Sequence, residues 1–224
     1  MSDARRPSGL TLRRLVLPAV LVIVAAGCPI RIGKLPAREL YRISLPDLSD
    51  TAATIRGTDG SAPPLSGTLG IAQYTTPGIY GDPQIVFRIN DTEYGSYPSR
   101  EWAVPLGDQL GVLTERVLAH TPLTAEHAVF DPPSRRAQTY IWRGTVREFE
   151  EVDRGTEVHA AVRIDLRIVR AEDDSILWSG TSRLERPASG TSMAAIVQTL
   201  STLADEVVAD LATRARRDLA NRVP

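Results

Sequence analysis

The strongest constraint on the fold is a two-residue alternation of apolar and polar side chains that runs from Tyr140 to Leu184. Two clusters of turn-forming residues, Asp153–Gly155 and Glu172–Asp174, divide this stretch into three segments. Alternation of period two is typical of a strand that buries one face, so the pattern predicts an antiparallel meander of three long strands. The residues expected on the buried face are Tyr140, Trp142, Gly144, Val146 and Glu148, then Val158, Ala160, Val162, Ile164, Leu166 and Ile168, then Ile176, Trp178, Gly180, Ser182 and Leu184.

A long amphipathic helix is predicted after the meander, over residues 192–222. Apolar residues recur there at spacings of three and four, which places them in one stripe along a helix. A shorter helix is predicted from Ser99, a favourable N-cap residue, to the residue before Pro122. The two stripes are Ile196, Leu200, Leu203, Val207, Leu211 and Ala215 in the long helix, and Trp102, Leu106, Leu110, Leu113, Val117 and Leu118 in the shorter one.

Four shorter strands are predicted before the meander, at residues 39–45, 68–74, 84–89 and 94–97. The stretch 46–67 is rich in Asp, Ser, Thr, Gly and Pro and is expected to be a long loop. One apolar face per strand and one apolar stripe per helix must bury each other. The sequence therefore predicts an α+β fold, in which an antiparallel sheet carries two helices packed on one face.

The N-terminal residues have the pattern of a secretory signal. Four arginines precede an apolar run, Leu15–Ala26, and the small residues Ala25, Ala26 and Gly27 lead directly to Cys28, the single cysteine of the chain. A basic start, a short apolar run and a small-residue cleavage site define such signals. The apolar run would extend only about 18 Å as a helix, whereas a bilayer core needs about 20 residues. An ordinary secretory signal with Cys28 as a stray thiol is the alternative, although oxidising compartments favour paired cysteines.

This pattern resembles the signal of bacterial lipoproteins, which ends in two small residues, glycine and cysteine. The resemblance implies that residues 1–27 are removed and that Cys28 becomes the acylated first residue. Residues 28–37 are then a tether that reaches at most about 30 Å, and residues 38–224 are a single periplasmic domain. In lipoproteins an Asp after the cysteine marks inner-membrane retention, and here Pro29 follows it. An outer-membrane anchor facing the periplasm is therefore expected, with the inner membrane as the alternative.

The charge balance argues against a nucleic-acid partner. The whole chain has 26 Lys and Arg against 27 Asp and Glu. Removal of residues 1–27 takes away four arginines and Asp3, which leaves 22 basic and 26 acidic side chains. A nucleic-acid surface needs a basic patch or stripe, and this mildly acidic balance does not indicate one.

No pattern of catalytic or metal-binding residues stands out. The three histidines lack the spacing and the cysteine partners of a zinc site. The run Gly190–Ala194 resembles the nucleophile segment of subtilisin-type proteases, but the upstream Asp and His-Gly-Thr motifs are missing, so Ser192 is expected to cap the last helix. Glu148, Glu150 and Glu151 share one strand end and are expected to be solvated, since a glycosidase needs carboxylates on both sides of a cleft. We therefore expect a protein that is not an enzyme and that binds no cofactor or metal.

The loop of residues 75–83 is the predicted partner interface, together with the approach to the first helix. It carries Ile79 and Tyr80 between two glycines, outside any strand period that would bury them. An exposed apolar pair at a loop tip favours contact with a partner. The predicted interface residues are Ile79, Tyr80, Tyr97 and Arg100. The alternative is that Ile79 and Tyr80 fold back as a cap over the sheet edge, and Trp102 is expected in the core.

A tryptophan-containing run precedes the first helix. It consists of residues 84–88 (QIVFR), Tyr94, Tyr97 and 100–106 (REWAVPL). This run and the order of the elements resemble the ABC-type transport auxiliary lipoprotein component family, whose run reads "IVYR … Y … RWAEPL"; Val104 stands here where Glu is frequent. The region of Tyr41 and residues 177–180 (LWSG) resemble the first strand and the end of that domain, so the resemblance covers about residues 38–220.

The resemblance implies a non-enzymatic accessory subunit. Its expected partners are an ABC transporter permease and ATPase and a membrane-anchored MCE-domain protein, which together move lipids or other hydrophobic molecules across the cell envelope. A second copy of the same chain is a further expected partner, and the lipid anchor provides contact with the membrane. The alternative function is a scaffold or activator lipoprotein for a cell-wall or envelope assembly enzyme.

Overall fold

The structure is a computed structural model that describes residues 37–45, 62–126, 128–131, 134 and 137–222. These residues belong to one compact unit that begins at Ala37, and none of its helices is long and apolar enough to cross a membrane. The fold is α+β, as predicted, with an open sheet of eight strands and two long helices. In chain order the elements are β1 (Glu39–Tyr41), β2 (Leu69–Ile71), β3 (Gln84–Asn90), β4 (Glu93–Trp102), α1 (Leu106–His120), β5 (Val129–Phe130), β6 (Tyr140–Asp153), β7 (Val158–Arg170), β8 (Ile176–Pro187) and α2 (Met193–Ala220).

Strand β6 lies at the centre of the sheet. One of its edges pairs with β7 along its full length, and β7 pairs with β8, so the predicted antiparallel meander is confirmed. The other edge of β6 is shared by two strands that both run parallel to it. Strand β2 pairs with its first residues and β3 with its last ones. The order is completed by β4 and β1 beyond β3, and by β5 beyond β2.

The sheet is therefore mixed, and the prediction of an antiparallel sheet holds only for the meander and the β3–β4 hairpin. Parallel neighbours need a crossover connection that a hairpin cannot provide. Such connections are long here, because α1 and β5 lie between the β3–β4 hairpin and β6 in the chain. The alternation of apolar residues identified the strands, but it carries no information about their direction.

Both helices pack against each other and on one face of the sheet. The β7 residues Ala160, Val162, Ile164 and Ile168 are fully buried on that face, together with the predicted stripe of α2. Helix α2 begins as predicted, because the Ser192 side chain accepts a hydrogen bond from the backbone N–H of Ala195. The face opposite the helices carries most of the charged side chains of the meander.

Two local predictions were wrong. A bulge between Val146 and Glu148 shifts the register of β6, so Phe149 and not Glu148 lies opposite Val162 on the helix face. The first helix begins at Leu106 and not at Ser99, because β4 continues to Trp102. The backbone N–H of Trp102 donates to the carbonyl of Pro83 at 2.7 Å, which keeps this segment in the sheet.

Other boundaries differ less. The strands predicted at 39–45 and 68–74 are shorter, and a 3₁₀ turn at Gly78–Gly81 and strand β5 were not predicted. Cys28, the leader and the tether up to residue 36 lie outside the described residues, as does most of the predicted loop at 46–67.

Candidate partner-binding site

Three of the four predicted interface residues lie around two adjacent carboxylates near the end of β6. Parallel pairing with β3 sets Val86 beside Glu150 and Phe87 beside Glu151. Successive side chains of a strand point to opposite faces of the sheet, so the two carboxylates face in opposite directions. Each of them accepts a hydrogen bond from one tyrosine, Tyr80 or Tyr97.

On the face opposite the helices, Glu150 is completely buried between a tyrosine and an arginine. The Tyr80 hydroxyl donates to Glu150 Oε2, and Arg88 Nε donates to Glu150 Oε1 at 2.6 Å. Burial, followed by the hydrogen bond to Glu150, raises the pKa of Tyr80, so its hydroxyl remains a donor. Arg88 also contacts Asp91 at 3.3 Å, but its Nη2 atom is buried and has no hydrogen-bond partner among the described residues.

On the helix-bearing face, Tyr97 donates from its hydroxyl to Glu151 Oε2 at 2.8 Å. Burial and this hydrogen bond raise the pKa of Tyr97 to about 12. Burial also raises the pKa of Glu151, although the tyrosine hydroxyl opposes that change. The Arg100 guanidinium lies 4.7 Å from the centre of the Tyr97 ring, a cation–π contact. The ring of Phe87 also packs against Tyr97, with ring centroids 4.9 Å apart.

Two expectations about these residues need correction. Glu150 and Glu151 are not a solvated strand end, because they are 0% and 9% exposed. The strand pattern could not reveal the tyrosines and the arginine that come to them from other elements. Ile79 and Tyr80 are not an exposed pair at a loop tip either, since both are half-buried and Tyr80 packs on the sheet. The loop folds back, and an interface role for its residues remains a prediction.

The exposed apolar residues of this region lie instead on the β3–β4 hairpin. Ile89 is 42% exposed and Tyr94 is 47% exposed. Tyr94 lies opposite Arg88, the last β3 residue that pairs with β6, and Ile89 is the next residue of β3. Ile89 therefore lies on the helix-bearing face with Phe87, and Tyr94 lies on the other face with Arg88. Sequence reasoning missed Ile89 because its alternation with Phe87 resembles an ordinary buried face. We use the name hairpin surface for the side chains Phe87, Ile89, Tyr97 and Arg100 on one face of the hairpin, together with Tyr94 on the other face.

A glycine shapes the hairpin surface. Gly95 lies opposite Phe87 in the β3–β4 pair, and a Cβ atom at this position would lie 2.3 Å from the Phe87 ring. The absence of a side chain lets the ring lie flat across the neighbouring strand, where it also contacts Tyr97. Trp102 is buried as predicted, with its ring at the edge of Phe149 at a centroid distance of 5.6 Å.

The region does not resemble a metal centre. Within the part of the chain that the structure describes, no group of three His, Cys, Asp or Glu side chains could hold a metal ion. The two carboxylates at the end of β6 are each engaged by a tyrosine, and they lie on opposite faces of the sheet. What the region offers to another molecule is a hairpin with exposed aromatic, aliphatic and guanidinium groups. Aromatic side chains and arginine are frequent at protein interfaces.

Comparison with known proteins gives one family. The model of the ABC-type transport auxiliary lipoprotein component family matches residues 47–212, well over half of the chain and including both carboxylates and the hairpin surface. No curated protein matches the chain at a significant level.

Two solved structures have a similar fold. A Xanthomonas campestris protein superposes with a TM-score of 0.63 at 20% sequence identity, covering 80% of this chain and 95% of its own. A second protein, described as uncharacterised, gives a TM-score of 0.58 at 16% identity and covers 80% of this chain and 99% of its own. At these identities the likeness concerns the fold alone.

Proposed function

Because the chain belongs to the ABC-type transport auxiliary lipoprotein component family, we propose that it is the accessory subunit of an envelope transport system that contains an MCE-domain protein. In this role it performs no catalysis. It binds the MCE-domain protein beside the permease and ATPase of the transporter, and the assembly moves lipids or other hydrophobic molecules across the envelope. The observation that carries this proposal is the family match, which spans nearly the whole described domain.

The hairpin surface is the proposed docking site for that partner, which would contact the hairpin from both faces, at Ile89 on one and Tyr94 on the other. Ile89 and Tyr94 are exposed although they are large and apolar, which is what an interface anchor requires. Behind them the Arg88–Glu150 ion pair and the Tyr97–Glu151 hydrogen bond fix the base of the hairpin. A rigid projection of this kind loses little conformational entropy when it binds.

We further propose that Cys28 is acylated and that the anchor holds the domain at the periplasmic side of the outer membrane. Several acyl chains give stable anchoring where a single chain is marginal. Metabolic labelling with an alkyne fatty acid, followed by membrane fractionation, tests this proposal. The Cys28→Ser variant should lose the label and leave the membrane fraction. If the variant still labels and sediments with membranes, the anchor is elsewhere.

Partner binding is tested with a tagged full-length chain expressed together with the MCE-domain protein encoded nearest to its gene. The double variant Ile89→Ser, Tyr94→Ser should recover at least tenfold less partner, because two interface anchors of about 2 kcal/mol each are removed. The matched control is Val129→Ser, which changes a residue of similar exposure, 43%, on β5. Equal recovery by the double variant would place the interface elsewhere. If the wild-type chain recovers no MCE-domain protein or transporter subunit, the proposed function fails.

A further inference from the structure

The sheet face opposite the helices contains two pairs of arginines that stand directly opposite each other on neighbouring strands. Arg143 on β6 faces Arg167 on β7, and Arg163 on β7 faces Arg183 on β8. Side chains in such positions have their Cβ atoms about 5 Å apart, and like charges there are destabilising. An anion placed between the two side chains of a pair would offset this repulsion.

The two pairs differ in how this repulsion is offset. Glu148 lies between Arg163 and Arg183 and binds both, at 3.9 and 2.8 Å. Among the described residues, no carboxylate binds both Arg143 and Arg167, although Asp131 lies with them in the lining of one groove. Arg143 pairs with Asp174, a residue of the β7–β8 turn whose side chain is 65% exposed. Arg167 is exposed and makes no ion pair or hydrogen bond with any residue that the structure describes.

Asp165, the next carboxylate on the same face, is already engaged. Thr181 donates a hydrogen bond to it at 2.8 Å, and Arg147 donates at 2.7 Å. Burial raises the pKa of Asp165, but these hydrogen bonds outweigh it and keep the pKa below the ordinary value. The carboxylate is thus ionised and held in place, so it cannot turn to serve Arg167.

The Arg143–Arg167 pair lies in a groove of about 590 Å³ between β2, β6 and the β7–β8 turn. Its floor contains Ile141 and Val169, which are almost fully covered, and its rim contains Ile176, which is 57% exposed. The groove also contains six charged side chains, three arginines and three aspartates: Arg143, Arg147, Arg167, Asp131, Asp165 and Asp174. Its volume is within the range of small-molecule sites.

We propose that this groove binds an amphiphile with a phosphate or carboxylate head. The oxyanion lies between the guanidinium groups of Arg143 and Arg167, and the apolar part lies along Ile176. Guanidinium forks suit a planar or tetrahedral oxyanion because they donate two parallel hydrogen bonds. Asp174 gives up Arg143 when the ligand arrives, since an exposed ion pair contributes little stability. This site is distinct from the hairpin surface and does not require an MCE partner.

The test uses the full-length chain in nanodiscs of phosphatidylcholine and two photoreactive probes. One is dodecyl phosphate with a diazirine in its alkyl chain, and the other is the same chain with a phosphocholine head. Mass spectrometry locates the labelled peptide. We expect dodecyl phosphate to label the peptides that contain Ile141, Val169 or Ile176 saturably, and the phosphocholine probe to label them at least tenfold less. Inorganic phosphate and decanoate are the competitors that separate the head from the whole amphiphile.

Arg167→Gln removes one guanidinium and should weaken labelling by about tenfold or more, the usual effect of losing a charge-assisted hydrogen bond. Its melting temperature should stay the same or rise, because the repulsion from Arg143 is gone. This readout separates a lost ligand contact from a damaged fold. The control is Arg170→Gln, an exposed arginine on the same strand that points to the other face. It should label like the wild type.

Three outcomes would overturn the proposal. Labelling of the groove that is equal in Arg167→Gln and the wild type would show that the guanidinium does not bind the head. Competition by inorganic phosphate as strong as that by decanoate would show a site for a free oxyanion and not for an amphiphile. Saturable labelling by neither probe would show that no amphiphile binds there.

Discussion

Two tyrosines from preceding loops contact β6, one near each end of the strand, and their hydroxyl groups belong to different kinds of hydrogen-bond network. Near the start of the strand Tyr74 is 3% exposed and takes part in a chain of neutral hydrogen bonds. Trp142 Nε1 donates to the Tyr74 hydroxyl at 2.9 Å, that hydroxyl lies 2.6 Å from Thr114 Oγ1, and Thr114 donates to the carbonyl of Leu110. Near the other end Tyr80 binds the buried ion pair of Arg88 and Glu150.

The difference indicates what each end of the strand does. In the neutral network every side-chain polar atom has a partner, and helix α1 covers it, so its role is to specify the core. The charged network holds Glu150 away from water and leaves Arg88 Nη2 without a partner. Burying an ion pair is costly and seldom adds stability over apolar residues. Its position under the hairpin surface favours a role in fixing that surface for a partner.

The largest expected effect comes from breaking the charged network. Arg88→Leu would leave Glu150 buried without its ion-pair partner, which destabilises a fold by about 3–5 kcal/mol. Chemical denaturation of the variant should show this loss. The double variant Arg88→Leu, Glu150→Leu removes both charges and should recover most of it. If the double variant is as unstable as the single one, the ion pair itself stabilises the fold. The charged network would then serve the core, as the neutral network does.

Gly144→Ala is the corresponding change at the neutral end. A Cβ atom at this position would lie 2.1 Å from Tyr74 Cε1, so the ring must move away from Trp142. Overpacking of this kind costs about 1–3 kcal/mol. The matched control is Gly95→Ala, which collides with the half-exposed Phe87 ring. That ring can turn towards solvent, so we expect a smaller loss of stability and weaker binding of the partner. A larger loss for Gly95→Ala would contradict this account.

Removing a single hydroxyl compares the two tyrosines directly. Tyr74→Phe leaves the buried Trp142 Nε1 without an acceptor, and an unsatisfied buried donor costs about 1–3 kcal/mol. Tyr80→Phe leaves Glu150 with Arg88, so the expected loss is about 1 kcal/mol. Thermal unfolding of both variants measures the difference. Equal losses would mean that the ion pair depends on the Tyr80 hydroxyl as much as the core depends on Tyr74.

The sequence predicted the elements of this fold in which one apolar pattern recurs over many residues. The alternation in β7 and the stripe of α2 recur over many residues, so the buried face followed from Val162, Ile164 and Leu200 without knowledge of their partners. The bulge after Val146 was not predicted, because one inserted residue leaves each half of the alternation intact. The parallel pairing of β3 with β6 was not predicted either, since it joins residues more than sixty positions apart.

The same reason explains what was missed at the candidate site. Tyr80, Tyr97 and Arg100 were selected because they are aromatic or charged residues near turns, but the carboxylates that organise them were expected to be solvated. Glu150 and Glu151 become buried only through pairing with β3 and contact with the loop. A motif of consecutive residues cannot report such contacts.

The smallest expected effect is a difference in pH dependence between the two ends. Burial raises the pKa of Glu151 above its unfolded value of 4.5, so the folded state favours the protonated carboxyl. The contribution of Glu151 to stability is therefore full below pH 4.5 and is lost as the pH rises through its folded pKa.

Glu151→Gln keeps an acceptor for Tyr97 and does not titrate. The variant and the wild type should have equal stability near pH 4, and at pH 7 the variant should be more stable, by less than about 1 kcal/mol. Tyr74→Phe should show no such trend between pH 4 and 8, because burial raises the pKa of Tyr74 to about 12. Melting temperatures of the three proteins over this range test the contrast. A wild type that gains stability over Glu151→Gln as the pH rises would mean that Arg100 stabilises the ionised carboxylate more than burial disfavours it.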